Sequence, residues 1–201
     1  MAAFTSSTVS HNYSFTSSSH TDKLLTSLFA GDVIVETKAH TAWGAAVTAQ
    51  MYLPLRREKV WNQLIDYPQW VHYFPDVTQS RVVAPGNPTE SGMTCGKRLY
   101  QVARKSFLFF TAEAEIYLRV VEVKGQQIQF DLESGSFTDF SANLKLKDFK
   151  DGTLLTYYVQ ATPVLPIPTV FIQQAILFDL PSNMRTMRQV ILDQYCNEEV
   201  A

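Results

Sequence analysis

Four side chains have the chemistry to move a proton or hold a polar head group: His72, Arg98, Tyr100 and Asp139. General acid–base catalysis would require such groups to converge on one reacting atom. His72 lies in the turn between Trp70 and Phe74, and no sequence neighbour would fix its tautomer. A surface or capping histidine is the simpler reading. Arg98 and Tyr100 share one face of a strand with Thr94, Gly96 and Val102. On an inner face, Arg98 would hold a carboxylate or carbonyl by a charge-assisted hydrogen bond. The opposite face carries Met93, Cys95, Leu99 and Ala103 and is the more apolar, which places Arg98 outside. Glu113 and Glu115 are paired carboxylates at strand spacing, but they share a face with Arg119 opposite Ala112 and Ala114, as solvated residues do. The histidines at 11, 20, 40 and 72 form no metal-ligand spacing, and there is no phosphate-binding glycine loop or nucleophile elbow. No metal and no cofactor are therefore expected.

These groups need elements to position them. Val47, Ala49, Met51 and Leu53 alternate with polar neighbours, the period of a half-buried strand ended by Pro54. Helical spacing follows in Val60, Trp61, Leu64 and Ile65, then a short turn carries Trp70, Tyr73 and Phe74. Period-two strands return over 77–84, 93–104 and 107–123, and then around Phe130, Leu144 and Tyr157. Asp151-Gly152 is a hairpin signal between the last two. Connections this short exclude crossover helices, so the sheet is antiparallel, with one apolar and one wet face. Prolines 163, 166 and 168 lead into a long helical segment that runs toward Tyr195, with a kink or break expected at Pro181. Earlier, Thr21 or Asp22 caps a short helix through Phe29, ended by Gly31.

The fold class is thus α+β: a curved antiparallel sheet covered by its last helix, with two short helices after the first strand. Small residues on the sheet (Ala112, Ala114, Ala142, Ala161) face adaptable Met184 and Met187. That pattern suits either close packing or an apolar cavity, and the periodicity leaves both open.

Composition narrows the class. The chain has 201 residues with a formal net charge of −2, 46% hydrophobic and 18% charged. One sizeable core fits this length. A nucleic-acid partner is excluded, because phosphate contacts need a basic surplus. Cys95 and Cys196 read as two reduced thiols. No run approaches the ~18 apolar residues of a membrane span. Residues 1–20 are rich in Ser and Thr, hold no Lys, Arg, Asp or Glu, and read as a flexible tail without a secretory signal. A cytoplasmic location is expected, or a plastid if the tail is a transit peptide.

The stretch VWNQLIDYPQWVHYFPDVTQSRVV at 60–83 resembles the START-like helix-grip superfamily, in its polyketide cyclase/dehydrase and coenzyme-Q-binding branch. The likeness is carried by Val60, Trp61 and Leu64, by Asp66, Tyr67 and Trp70, by Phe74, Pro75 and Val77, and by FDLPSNMRTMR at 178–188 in the closing helix. It covers roughly Ala45 to Tyr195. The resemblance implies about seven strands wrapped around the C-terminal helix, with an elongated apolar cavity between them. It implies binding or transport of a lipid, isoprenoid quinone or polyketide-like molecule. The expected lining is Trp70, Tyr73, Phe74, Leu118, Phe130, Phe140, Tyr157, Phe171, Leu177, Met184 and Met187. The domain is expected over 41–201, preceded by a tail and short helix over 1–40. Two alternatives stand beside this: a metal-free cyclase or dehydratase using His72 or Tyr100, and an interaction module with a collapsed interior. The partners are a hydrophobic small molecule and, transiently, a membrane; the oligomeric state stays open.

Overall fold

Strands that alternate in period two and are joined by tight turns have to pair with their sequence neighbours. The computed structural model shows that pairing, and it describes residues 16–41, 44–106, 111–164 and 179–200. The strands are β1 (Ile34–Ala39), β2 (Ala45–Leu53), β3 (Val77–Ala84), β4 (Asn87–Pro88), β5 (Met93–Ser106), β6 (Thr111–Val123), β7 (Gln127–Gly135), β8 (Phe137–Phe149) and β9 (Gly152–Pro163). The helices are α1 (Thr16–Phe29), α2 (Arg57–Leu64), α3 (Trp70–Tyr73) and α4 (Leu180–Val200), with a 3-10 turn at Tyr67–Gln69 before α3. All strands join one antiparallel sheet in the order β1-β2-β9-β8-β7-β6-β5-β3, with β4 beside β5.

The α+β reading with its curved antiparallel sheet and C-terminal helix holds. The seven strands expected are present, and β1 and the two-residue β4 bring the sheet to nine. Residues 34–39, read from the sequence as part of the tail, pair along their whole length with β2. A bulge separates Thr94 from Lys97, where Gly96 takes φ +78°. Strict alternation along β5 is broken there.

One face of the sheet is apolar and packs on α4. Met51, Leu53, Leu99, Val120, Leu144 and Leu155 are fully buried on it, against Met184, Met187 and Ile191 of α4. The α-helix described begins at Leu180 with Pro181 as its second residue; the residues from 165 to 178, on which the expected kink also depends, lie outside the described ones. Helix α1 starts earlier than its expected cap and ends as anticipated: Gly31 adopts φ +92° and its N–H donates to the Leu28 carbonyl at 3.0 Å. Phe29 of α1 meets Tyr52 edge-on at 4.9 Å, and Arg188 of α4 donates from Nε to the Tyr52 carbonyl at 3.0 Å. Helix α1 and α4 thereby both meet β2 at Tyr52.

Gly135 closes β7 with φ +137°, opposite Ile116 and next to a register shift in β6. A Cβ there would stand 2.3 Å from the Glu115 carbonyl oxygen, which is backbone and cannot swing aside. Gly135→Ala is expected to lower stability by more than about 1 kcal/mol, seen as a lower urea midpoint with an unchanged slope.

Candidate functional site

The inner face differs from end to end. At the α2 end Met51, Leu53, Leu144 and Leu155 have no accessible surface, and neither do Val60 and Leu64 of α2. At the opposite end, where α3 finishes and α4 begins, the inner-face residues Phe74, Leu132, Phe137, Phe140 and Val159 are only partly buried, and Tyr157 keeps 8% of its surface. The strand directions explain the grouping. Leu132 closes β7, Phe137 and Phe140 open β8, and Tyr157 and Val159 approach the end of β9. Adjacent antiparallel strands bring these positions to one edge.

Among the expected lining residues, Trp70, Tyr73, Leu118, Phe130, Met184 and Met187 are buried in the single core, and Phe74, Phe140 and Tyr157 sit at the partly accessible end. Phe171 and Leu177 lie outside the described residues. Trp70 and Tyr73 hold α3 rather than stand free as a lid. The Trp70 indole N–H donates to the Leu64 carbonyl at 2.9 Å, and the Tyr73 hydroxyl donates to the Gln63 carbonyl at 3.1 Å. These are carbonyls of the last turn of α2; that of Gln63 also accepts from the Asp66 N–H at 3.4 Å. Rings then form a chain across the sheet: Tyr67 to Phe130 at 6.1 Å, Phe130 to Trp70 at 5.2 Å, Trp70 to Phe74 at 5.7 Å, and Phe74 to Tyr157 at 6.3 Å. The short helix seats Phe74 opposite β9.

Two polar clusters frame this surface. Glu122 is buried on the inner face, where its Oε1 accepts from the Tyr67 hydroxyl and from the Lys97 ammonium, both at 2.5 Å. Lys97 also stands 5.0 Å from the Tyr67 ring centre. Nearer the accessible end, the Lys105 ammonium reaches Asp76 at 2.8 Å and Asp179 at 3.0 Å. It thus ties the chain after α3 to the residue before α4. Burial lowers the Lys105 pKa, but the hydrogen bonds to both carboxylates outweigh it and hold the group above 10.5. The linkage is therefore complete below that value and lost only as the pH rises past it.

The phenols report burial in the same way. Burial first, then the hydrogen bond to Asp151, push Tyr52 up to about 12. Burial first, then Glu122, raise Tyr67; burial first, then Asp66, raise Tyr73; burial alone raises Tyr157. A raised phenol contributes stability that is whole below its ordinary value near 10 and is lost as the pH climbs through the folded value. In an alkaline titration these four are expected to stay protonated to about pH 11 and to ionise together with loss of the native circular dichroism. Early phenolate absorbance from all nine tyrosines would contradict that.

The proton-moving candidates are not brought together. Tyr100 lies on the outer face, donating to Glu115 at 3.2 Å beside Tyr117 and Arg81. Arg98 is also outside, paired with Glu133 at 2.6 Å. His72 is exposed on α3, and Asp139 pairs with His40. The sequence reading missed Lys97 and Glu122. The signal was the alternation Ile116, Leu118, Val120, which continues onto Glu122. A separate cleft of about 670 Å³ opens at the start of α2 among Arg56, Arg57, Lys124, Asp148 and Lys150. It is charged and shares none of the expected lining. Among the described residues no group of three or more His, Cys, Asp or Glu could hold a metal, and no helix is long and apolar enough to cross a membrane.

The family model for polyketide cyclase / dehydrase and lipid transport matches residues 53–185, well over half of the chain. The chain belongs to this family. Solved structures share its fold. A START superfamily protein from Mycobacterium smegmatis aligns with TM-score 0.57 at 13% identity, covering 82% of this chain and 99% of that one. A STAR-related lipid transfer protein from Xanthomonas axonopodis aligns with TM-score 0.51 at 14% identity, covering 78% and 98%. Human STARD10 aligns with TM-score 0.56 at 11% identity, covering 83% and 77%. No curated protein sequence matches the chain. The family match begins at Leu53, so α1, β1 and most of β2 precede it.

Proposed function

We propose that this member of the family binds and carries a hydrophobic small molecule between the sheet and α4, entering at the end framed by Phe74, Phe140 and Val159. The observation that carries this reading is the residual accessibility of those inner-face side chains beside an otherwise closed core. Folding normally removes such surface from water, and apolar surface left in reach gains about 25 cal/mol per Å² when a ligand covers it. The family, which is described as one of polyketide cyclases, dehydrases and lipid transport, and the likeness to a STAR-related lipid transfer protein support it. A lipid, an isoprenoid quinone or a polyketide-like molecule would each supply the surface. Transient membrane contact would load it.

The test is mass spectrometry of what co-purifies from cell extract, done in parallel on Val159→Trp. Val159 faces inward and is only partly buried, so an indole there would cover the surface offered to a ligand. Wild-type protein is expected to retain an apolar molecule and to melt higher when loaded. The variant should lose at least about tenfold in occupancy, equivalent to 1.4 kcal/mol of binding, while keeping its fold. Delipidated protein that takes up no lipid, quinone or polyketide would overturn the reading.

A further inference from the structure

The charged cleft at the start of α2 takes no part in the carrier site. Its volume of about 670 Å³ is that of a small-molecule site. Three stretches of chain wall it. The residue before α2 and the helix itself bring Arg56, Arg57, Glu58 and Asn62. The turn between β6 and β7 brings Lys124 and Gly125. The end of β8 and its turn into β9 bring Asp148, Lys150 and Asp151. Two contacts brace these walls. Arg57 pairs with Asp148 at 3.1 Å and ties α2 to β8. The Tyr52 hydroxyl donates to Asp151 at 2.5 Å and ties the turn to β2. Outside the Arg57–Asp148 pair stand Arg56, Lys124 and Lys150, none of them in an ion pair among the described residues. They outnumber the two other carboxylates of the cleft, Glu58 and Asp151.

Cations on separate walls repel, and a concave surface concentrates their field. An anion between them relieves that repulsion. A phosphate suits the arrangement better than a carboxylate, because its three oxygens accept from several cations at once. One phosphate fills only a small part of the volume, and Glu58, Asp151 and Asn62 line the same space. Their oxygens accept from hydroxyl groups, and the amide also donates. Gly125 leaves the rim open, since a Cβ there would meet nothing within 4 Å.

We propose that this cleft binds a phosphorylated polyol, a hydroxylated ring bearing phosphate groups, with Arg56, Lys124 and Lys150 on the phosphates and Glu58, Asp151 and Asn62 on the hydroxyls. A free polyol phosphate and the head group of a phosphoinositide lipid share that chemistry. None of these residues frames the entrance proposed for the hydrophobic ligand, so binding here is independent of the carrier reading.

The full chain is titrated calorimetrically at low ionic strength with inositol trisphosphate, inorganic phosphate and inositol. Wild type is expected to bind the trisphosphate at least about tenfold more tightly than inorganic phosphate, and to bind inositol too weakly to detect. Lys124→Gln combined with Lys150→Asn should weaken the trisphosphate about tenfold. Asparagine accepts the left-handed φ of +54° found at Lys150, so the turn is kept. Arg56→Gln, on the α2 wall, should weaken it about threefold, whereas Lys38→Gln removes the same charge on β1 and should change it by less than about twofold. Flotation with phosphatidylcholine vesicles containing a phosphoinositide separates the two sources. Flotation that is lost in the double variant assigns the lipid head group, and trisphosphate binding without flotation assigns the free polyol phosphate. Three results would overturn the proposal: no trisphosphate binding, inorganic phosphate binding as tightly as the trisphosphate, or Lys38→Gln weakening it as much as the double variant does.

Discussion

Glu122→Ala is expected to remove about 3–5 kcal/mol of folding stability, the range for breaking a buried ion pair from one side. A domain has only about 5–15 kcal/mol in total, so the variant should stand near unfolding. The loss has three parts. The Lys97 ammonium, whose side chain is 17% exposed, would be left without its carboxylate. The Tyr67 hydroxyl, in a residue with no accessible surface, would lose its acceptor. A void would open beneath the 3-10 turn that sets up α3. Lys97 can recover part of this by reaching for water along its stem, which favours the lower end of the range. The double variant Lys97→Met with Glu122→Leu removes both charges and should regain most of the loss, because a well-packed apolar pair avoids the desolvation that the ion pair carries. Urea unfolding followed by tryptophan fluorescence reads both. A Glu122→Ala cost below about 1 kcal/mol would show that the pair is solvated and leaves α3 unanchored.

The triad also shows what the sequence can and cannot reveal. Strands β2 and β5 to β9 are legible because each keeps an apolar residue at every second position against a polar one, as at Leu144, Lys145, Leu146 and Lys147. Strand β1 is not, since Ile34 and Val35 are adjacent and an edge strand needs only one partner. Glu122 is hidden for a similar reason: a charge interrupts the apolar run that places it inside. Its partner Lys97 shares the parity of Met93, Cys95 and Leu99, the apolar face of that stretch, and is hidden in the same way, a charge standing in an apolar series. Resemblance in the 60–83 stretch and the order of elements point to the family, and the family model bears that out. Of the expected aromatic residues, Trp70, Tyr73, Phe130 and Tyr157 lie in one core with Phe74 and Phe140 packed against it, and which of them keep accessible surface depends on packing that alternation does not encode. Trp70 and Phe74 are four residues apart and belong to one ring chain, but only Phe74 stays partly accessible. Tyr157 was visible as an inward ring.

Trp70→Ala carries the other large effect. The indole is 4% exposed and is the hub of the ring chain, 5.2 Å from Phe130, 5.7 Å from Phe74 and 5.9 Å from Tyr67. Truncating a buried aromatic ring costs about 3–5 kcal/mol through lost burial and the void left behind. Here the Leu64 carbonyl also loses its donor at the end of α2, a further contribution of about 1 kcal/mol. The site should suffer as well, since Phe74 rests on Trp70 and is the ring that faces Tyr157 across the entrance. Trp70→Phe separates these contributions. It restores most of the packing and omits the N–H, so it should cost only about 1–2 kcal/mol and preserve binding of a fluorescent apolar dye. Trp70→Ala, held folded at low temperature, should release a bound dye faster than wild type, because the wall behind Phe74 is missing. A Trp70→Ala chain with wild-type stability would mean that α3 is not docked through this ring, and the entrance would have to be framed by other residues.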